Sequence, residues 1–338
     1  MTSDELNNHL AHAGIHCSAP GRAGIIGNPT DMYGGSVLSC STAERATVTV
    51  RPADQLILET GAERCRITSA DDLALTGDHF DIARAVLRGT GSTGLRARIT
   101  WQTDIPFRAG LSGSTALLVA LLNAVLAFQE VRHPRHYLAE FARMIEYDHL
   151  GVFCGYQDAY MCTFGGLNYM DFRDKEFHRS FGTDPYATIE PLASHVPALP
   201  FVLAHTGVQH LSGAVHKPIR ERWLDGDRQV IEGYLTVSRI ARAGKKALLH
   251  GRWEELGRLM NENHAITRSL GGSGPENERL IQVALDHGAF GAKLAGAGSG
   301  GTIIALHDEP DGMIEALKRA GATRVLFPKP GPGVEVTT

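Results

Sequence analysis

The residues best suited to chemistry lie in a glycine- and hydroxyl-rich segment, residues 106–116, that leads directly into an apolar segment, residues 117–128. The first N–H groups of a helix lack intrahelical partners and carry the positive end of the helix dipole, so an anion can bind there. Glycine lets the backbone approach a ligand, and hydroxyl groups can bind phosphate or a metal ion. The chain contains no Walker A pattern. The segment by itself therefore predicts either a phosphate site or a simple cap on a buried helix.

Three further clusters combine glycines with polar side chains. In residues 19–35, Arg22 and Asp31 stand among glycines, and these polar groups could converge on a bound ligand. The same segment could instead be a simple hairpin in which the Asp31 side chain binds the backbone of its own turn. Glu146 is followed twelve residues later by Asp158, and carboxylates near phosphate can orient a hydroxyl or hold Mg²⁺. Each of the two could also be an ordinary helix residue or helix cap. The third cluster, residues 291–301, is a glycine-rich turn that could approach a ligand or simply close a hairpin.

Composition favours small-molecule chemistry. The chain has 338 residues, 43% of them hydrophobic, so it can bury a large core. Its net charge of -4 gives no sign of a nucleic-acid partner. Its five cysteines are scattered and form no C-x-x-C pair, which predicts reduced thiols and a cytoplasmic location. The first 16 residues lack the apolar stretch of a secretory signal, and no apolar run is long enough to span a membrane.

The pattern of apolar residues predicts a mixed fold that positions these clusters. Strands are expected early, helices directly after the 106–116 loop, and a strand after Gly165 and Gly166. A polar connection at 185–200 suggests a boundary between two domains, and the second half reads as helices followed by a final glycine-rich turn between two strands. The expected strands are 36–41, 46–51, 56–59, 95–100, 167–172, 292–295 and 302–306, and the expected helices are 115–130, 134–149, 218–250, 253–269 and 276–287.

The four clusters, in this order and at these intervals, resemble the signature motifs of the GHMP kinases over residues 17–306. Asn28-Pro29 replaces the Glu-His pair usual in galactokinases, which argues against galactose itself. The form Gly-Asn-Pro-Thr-Asp-x-Tyr at 27–33, together with residues 110–114 and 155–158, is most similar to the glucuronokinase-like branch. The resemblance implies an α+β, two-lobed GHMP-kinase fold. Its N-terminal lobe, residues 1–190, would be ribosomal-protein-S5-like, and its C-terminal lobe, residues 191–338, would be ferredoxin-like.

The resemblance also implies a sugar 1-kinase that uses ATP and Mg²⁺. Asp158 matches the family's catalytic base, and Arg22 matches the basic residue that holds this carboxylate ionised. Ser114 and Glu146 match the residues that coordinate Mg²⁺. The nucleotide phosphates would lie against Pro106, Gly110, Leu111, Ser112, Gly113, Ser114 and Thr115.

The implied acceptor is the anomeric hydroxyl of a hexose or uronic acid. It would contact Asn28, Asp31, Tyr33, Gly155, Gln157, Gly298 and Ser299, with Ser299 standing where glycine is common. A uronic acid would need a cation, for which Lys217, Arg220 and Arg222 are candidates, although such residues are more often surface charges. A heptose-phosphate kinase and a non-catalytic sugar-binding sensor are the alternatives. The expected assembly is a monomer or homodimer without nucleic-acid or membrane partners.

Overall fold

A computed structural model describes residues 14–106, 108–196, 198–208, 212–296 and 301–337, and these residues form two sheets with packed helices. The first sheet has eight strands: β1 Ile15–Ile26, β2 Ser36–Pro52, β3 Leu56–Thr60, β4 Glu63–Ile67, β5 Ala97–Thr103, β6 Leu167–Asp171, β7 Thr188–Pro191 and β12 Glu335–Thr337. Six of them are neighbours in the order β12, β1, β2, β5, β3 and β4, while β6 pairs with β2 and β7 pairs with β6.

The two strands predicted at 36–41 and 46–51 are one long strand, β2. Between them no glycine or proline interrupts the chain, and pairing with β1 holds the extended backbone. Arg45 strengthens this pairing by donating from Nε to the Ser18 hydroxyl at 2.9 Å and from Nη2 to the Ser18 carbonyl at 3.0 Å. β1 itself was missed as a strand, because its glycines and proline predict a turn. Its register with β2 shifts near Arg22 and again near Gly24.

Four helices accompany the first sheet: α1 Asp81–Gly89, α2 Gly113–Phe128, α3 Arg135–Met144 and α4 Gln157–Phe164. The helix predicted at 115–130 is confirmed by α2, and residues 115–126 are all buried, so it is a core helix. The helix predicted at 134–149 is α-helical only to Met144 and continues as a π-helical turn, Ile145–His149. Such turns widen the helix locally and are frequent at functional sites. Here the turn carries Glu146.

The second sheet consists of β8 Phe201–His205, β9 Gly291–Leu294, β10 Thr302–Leu306 and β11 Arg324–Leu326. These strands lie in the order β11, β8, β10 and β9, and all pairs are antiparallel. The accompanying helices are α5 Ser212–Leu224, α6 Arg228–Leu249, α7 Trp253–Ser269, α8 Pro275–Asp286 and α9 Asp311–Arg319. The helix predicted at 218–250 is divided between α5 and α6. Asp227 begins the second of these helices by accepting a hydrogen bond from the Gln229 N–H at 2.9 Å.

The two sheets give the α+β, two-lobed arrangement that was expected, joined by a shared apolar core. Ile25 of the first sheet and Ile304 of the second belong to the same buried cluster. The final strand, β12, returns to pair with β1, so the first sheet uses residues from both sides of position 190. The boundary at 190/191 stays a prediction. Among the described residues, no helix has the length and apolar character needed to cross a membrane.

Candidate active site

The loop before α2 turns sharply at two residues with left-handed backbone angles. Gly110 and Ser112 have positive φ angles of 72° and 60°, and the helix begins at Gly113. A Cβ atom on Gly113 would lie 3.9 Å from the Pro106 carbonyl oxygen, so the loop folds back over its own start. The Ser112 Oγ is buried and has no hydrogen-bond partner. A buried hydroxyl without a partner is costly, so a bound ligand that supplied one would stabilise it.

Arg22 joins this loop to the predicted catalytic carboxylate. Its Nε lies 2.8 Å and its Nη2 2.6 Å from Oδ1 of Asp158, while its Nη1 donates to the Gly110 carbonyl at 2.6 Å. The Arg22 side chain is 8% exposed and that of Asp158 is 29% exposed, so the acid is the more open member of the pair. The structure thus brings together two residues that lie far apart in the sequence, at the start of the α2 helix.

Glu146 lies beside the first turn of α2. Both of its carboxylate oxygens accept from the Thr115 hydroxyl, at 3.1 Å and 3.0 Å, whereas the Ser114 side chain is exposed. Burial, and then repulsion from Asp158, raise the pKa of Glu146 to about 7. A carboxylate next to hydroxyl groups at a helix N-terminus is a donor set that suits Mg²⁺ bound together with phosphate oxygens. Among the described residues no group of three or more His, Cys, Asp or Glu side chains is placed to hold a metal.

Asp31 binds the backbone just before Asp158. Its Oδ2 accepts from the N–H groups of Tyr156 at 2.8 Å and Gln157 at 2.9 Å. A Cβ atom on Gly155 would lie 2.0 Å from this oxygen, which explains why glycine is needed there. Burial is the main cause that raises the pKa of Asp31. Asp31 therefore does not satisfy its own turn, as the alternative interpretation required, but holds the backbone that leads into Asp158.

The Gln157 side chain and Asn28 face other partners. Gln157 is buried and donates from Nε2 to the Ser39 hydroxyl at 3.3 Å. Asn28 donates from Nδ2 to the Gly296 carbonyl at 3.1 Å and accepts from Lys293 Nζ at 2.8 Å. Burial, and then the charge of Arg22, lower the pKa of Lys293 to about 7. The roles predicted for Gln157 and Asn28 in substrate binding stay predictions.

Described residues at both ends of the glycine-rich segment after β9 pack against the loop before α2. A Cβ atom on Gly296 would lie 2.4 Å from the Gly110 carbonyl oxygen, and one on Gly301 would lie 2.8 Å from that of Ala109. The Thr302 hydroxyl donates to the same Ala109 carbonyl at 2.8 Å. The two loops are therefore in direct backbone contact. Gly298 and Ser299, both predicted to bind substrate, lie outside the described residues.

Tyr33 belongs to an aromatic wall that the sequence did not reveal. Its ring lies 4.5 Å from that of Trp223, 4.9 Å from that of Tyr234 and 5.7 Å from that of Phe177, measured between centroids. Phe153 extends this wall, with its ring 5.4 Å from that of Phe177. These aromatic residues come from separate elements, and their spacing gives no signal in the sequence.

Of the candidate cations for an acceptor carboxylate, two are described. Arg222 donates from Nε to Asp227 at 2.7 Å and from Nη2 to Gln229 at 3.0 Å, so its charge is already compensated. Arg220 lies with its guanidinium 4.5 Å above the ring of Phe153. The Lys217 side chain lies outside the described part of the chain.

Three family models match the chain: the GHMP kinases N terminal domain at residues 79–166, the GHMP kinases C terminal model at 245–323 and the galactokinase galactose-binding signature at 7–52. Glucuronokinase 1 of Arabidopsis thaliana is 29% identical over 93% of this chain and 91% of that protein. The D-glycero-alpha-D-manno-heptose 7-phosphate kinase of Campylobacter jejuni is 25% identical over 90% of this chain and 93% of its own length.

The crystal structure of Lactococcus lactis galactokinase complexed with galactose has the same fold, with a TM-score of 0.75, 19% identity and coverage of 98% of this chain and 99% of that one. The loop before α2, the Arg22–Asp158 pair and the glycine-rich turn after β9 lie together in one place, and the family models match both halves of the chain. The chain therefore belongs to the GHMP kinase family.

Proposed function

We propose that this chain transfers the γ-phosphoryl group of ATP to the anomeric hydroxyl of a hexose or uronic acid, giving a sugar 1-phosphate. The observation that carries the proposal is the Arg22–Asp158 ion pair, which is tied to the Gly110 carbonyl at the start of α2. This arrangement puts a carboxylate that can orient a hydroxyl beside a site suited to phosphate. Kinase relatives with sugar acceptors support the same assignment.

The nucleotide phosphates would bind the N–H groups at the start of α2 and the unpartnered Ser112 hydroxyl. Glu146, held by Thr115, and Ser114 would hold the Mg²⁺ that accompanies ATP. Bound Mg²⁺ would neutralise charge on the phosphate oxygens. Catalysis would then rest on positioning and on charge neutralisation by Arg22 and the loop N–H groups.

The acceptor would lie between Asp158 and Asp31. Both bonds from Arg22 go to Oδ1 of Asp158, which leaves Oδ2 for the sugar hydroxyl. In the transfer step this hydroxyl oxygen forms a bond to the γ-phosphorus, the bond from the γ-phosphorus to the β–γ bridging oxygen breaks, and ADP leaves. The hydroxyl proton passes to Oδ2 of Asp158. Asp31, whose Oδ2 binds the 156–157 backbone, would use Oδ1 for another sugar hydroxyl.

We place this activity in the cytoplasm, in a monomer or homodimer. All five cysteines are free thiols, which is the usual state in a reducing compartment.

The test is ADP release in the presence of Mg²⁺ across a panel of free hexoses, uronic acids and heptose phosphates. The proposal expects a free hexose or uronic acid to stimulate turnover well above the rate with ATP alone. Stimulation by heptose phosphates alone would favour a heptose-phosphate kinase instead. If no sugar stimulates ADP release but one raises the melting temperature, the catalytic proposal fails and a sugar-binding sensor stands.

A further inference from the structure

Arg220 carries a buried guanidinium atom without a hydrogen-bond partner. The residue lies in α5, and its Nε is shielded from solvent with no acceptor within reach. Within the described ranges no carboxylate forms an ion pair with it. The guanidinium instead lies over an aromatic residue, with its Cζ 4.5 Å from the ring centroid of Phe153. A buried N–H donor of a cation that lacks an acceptor is unfavourable, so a bound anion would stabilise it.

The surroundings of Arg220 connect it to the proposed acceptor site. Phe153 stands two residues before Gly155, which touches Asp31. Tyr33 stands two residues after Asp31, and both the Asp31 and Arg220 charges act on its hydroxyl. Burial is the main cause that raises the pKa of Tyr33, and the charge of Arg220 opposes this increase. Arg220 therefore lies on the aromatic wall next to the segments that bind the acceptor.

Arg222, on the same helix, differs from Arg220 because its charge is compensated by protein groups. Arg222 binds Asp227 at 2.7 Å and Gln229 at 3.0 Å and has no need of a ligand. Arg220, two residues earlier, faces the aromatic wall instead. A guanidinium presents a planar fork of donors that matches a carboxylate, and charge-assisted bonds of this kind are among the strong ones.

We propose that Arg220 binds the carboxylate of a uronic acid acceptor and so selects uronic acids over neutral hexoses. This inference rests on the proposed function and names the acceptor class for the same site. A carboxylate carries one negative charge and two oxygens, which one guanidinium can satisfy. A phosphate group carries more charge and would call for further cations beside Arg220.

The experiment compares kcat/KM for D-glucuronate and D-glucose, which differ in carrying a carboxylate or a hydroxymethyl group. Arg220→Met is expected to lower kcat/KM for glucuronate by about 100-fold, mainly through KM, because the contact is remote from the reacting bond. It should change the value for glucose by less than about threefold, the spread expected when no specific contact is lost. Arg220→Lys should restore part of the preference, since the charge is kept but the fork is lost. Arg222→Met is the matched control and should leave both values unchanged.

A second measurement needs no variant. The wild-type chain should prefer glucuronate to its neutral amide, glucuronamide, by at least about tenfold in kcat/KM, the scale of one lost charge-assisted contact. Equal use of the two, or an equal loss for both sugars in Arg220→Met, overturns the assignment. So does a preference for sugar phosphates over glucuronate, which would identify phosphate as the anion. Turnover of neutral hexoses alone overturns the role of Arg220 but leaves the sugar kinase intact, whereas no turnover with any sugar refutes both.

Discussion

Replacing Glu146 by glutamine should stabilise the folded chain while it weakens the proposed metal site. The Glu146 side chain is buried, at 5% exposure, and its carboxylate accepts from the Thr115 hydroxyl at 3.0 Å and 3.1 Å. Burial, and then repulsion from Asp158, raise its pKa from 4.5 to about 7. Glutamine has the same shape, and its amide oxygen can still accept from Thr115. The substitution therefore removes the charge and little else.

The size and sign of the effect follow from this pKa. A carboxyl group whose pKa is higher in the folded than in the unfolded chain stabilises the fold below the unfolded pKa, and this stability is lost as pH rises through the folded value. One pKa unit corresponds to about 1.4 kcal/mol, so the move from 4.5 to about 7 amounts to about 3 kcal/mol at pH 8. Glu146→Gln should be about this much more stable than the wild type at pH 8, and the advantage should shrink to nothing near pH 4.5.

The assay is thermal unfolding of both proteins between pH 5 and pH 8 without nucleotide or Mg²⁺. The melting temperature of the variant should exceed that of the wild type by several degrees at pH 8, and the gap should close towards pH 5. Mg²⁺ with ATP should stabilise the wild type more than the variant, because a bound cation favours the ionised carboxylate.

Glu140→Gln is the matched control. Glu140 is also buried, but its carboxylate binds Lys175 at 2.8 Å, so its loss leaves a buried cation unpaired and should lower the melting temperature. A Glu146→Gln variant that is less stable than the wild type at pH 8, or a gap that does not change with pH, would refute the reasoning.

Three further outcomes are expected. Asp158→Asn should lower phosphoryl transfer by about 100-fold or more with ATP binding retained, and near-normal turnover would remove Asp158 from the mechanism. Gly155→Ala would place its Cβ 2.0 Å from Asp31 Oδ2, so KM for the sugar should rise and kcat fall, as steady-state kinetics would show, while unchanged kinetics would contradict the contact. Ser114→Ala should raise the Mg²⁺ concentration needed for half-maximal activity. An unchanged metal dependence would exclude Ser114 as a Mg²⁺ ligand and favour the Thr115 hydroxyl, which binds Glu146.

Much of the site could be predicted because the glycine-rich segments have strong local signatures. The α2 helix and the strands β9 and β10 lie where the sequence predicts them, to within two residues at each end. The contacts between residues far apart in the sequence could not be predicted in the same way. Glu146 lies in a π-helical turn and binds the hydroxyl of Thr115, not that of Ser114. The spacing of apolar residues in the sequence does not predict such a turn. The burial of Lys293 against Asn28 depends on the close packing of the two lobes.

The aromatic wall is a further feature that could not be predicted from the sequence. Tyr33, Phe153 and Trp223 are distributed over three segments, and their rings meet only through the tertiary fold. The sequence alone favours a surface charge at Arg220, because Lys and Arg side chains are usually exposed. In the structure the Arg220 guanidinium lies over the ring of Phe153 and its Nε is buried, a contact between distant segments that the sequence does not predict.

We propose above that the site around Asp158 moves the γ-phosphoryl group of ATP to the anomeric oxygen of a sugar. The most direct measurement is a phosphorus–proton correlation spectrum of the product formed from D-glucuronate, ATP and Mg²⁺. We expect a new phosphate signal coupled to the anomeric proton, present with the wild-type chain and nearly absent with Asp158→Asn. A phosphate coupled to any other sugar proton, or an undiminished signal from Asp158→Asn, would contradict it.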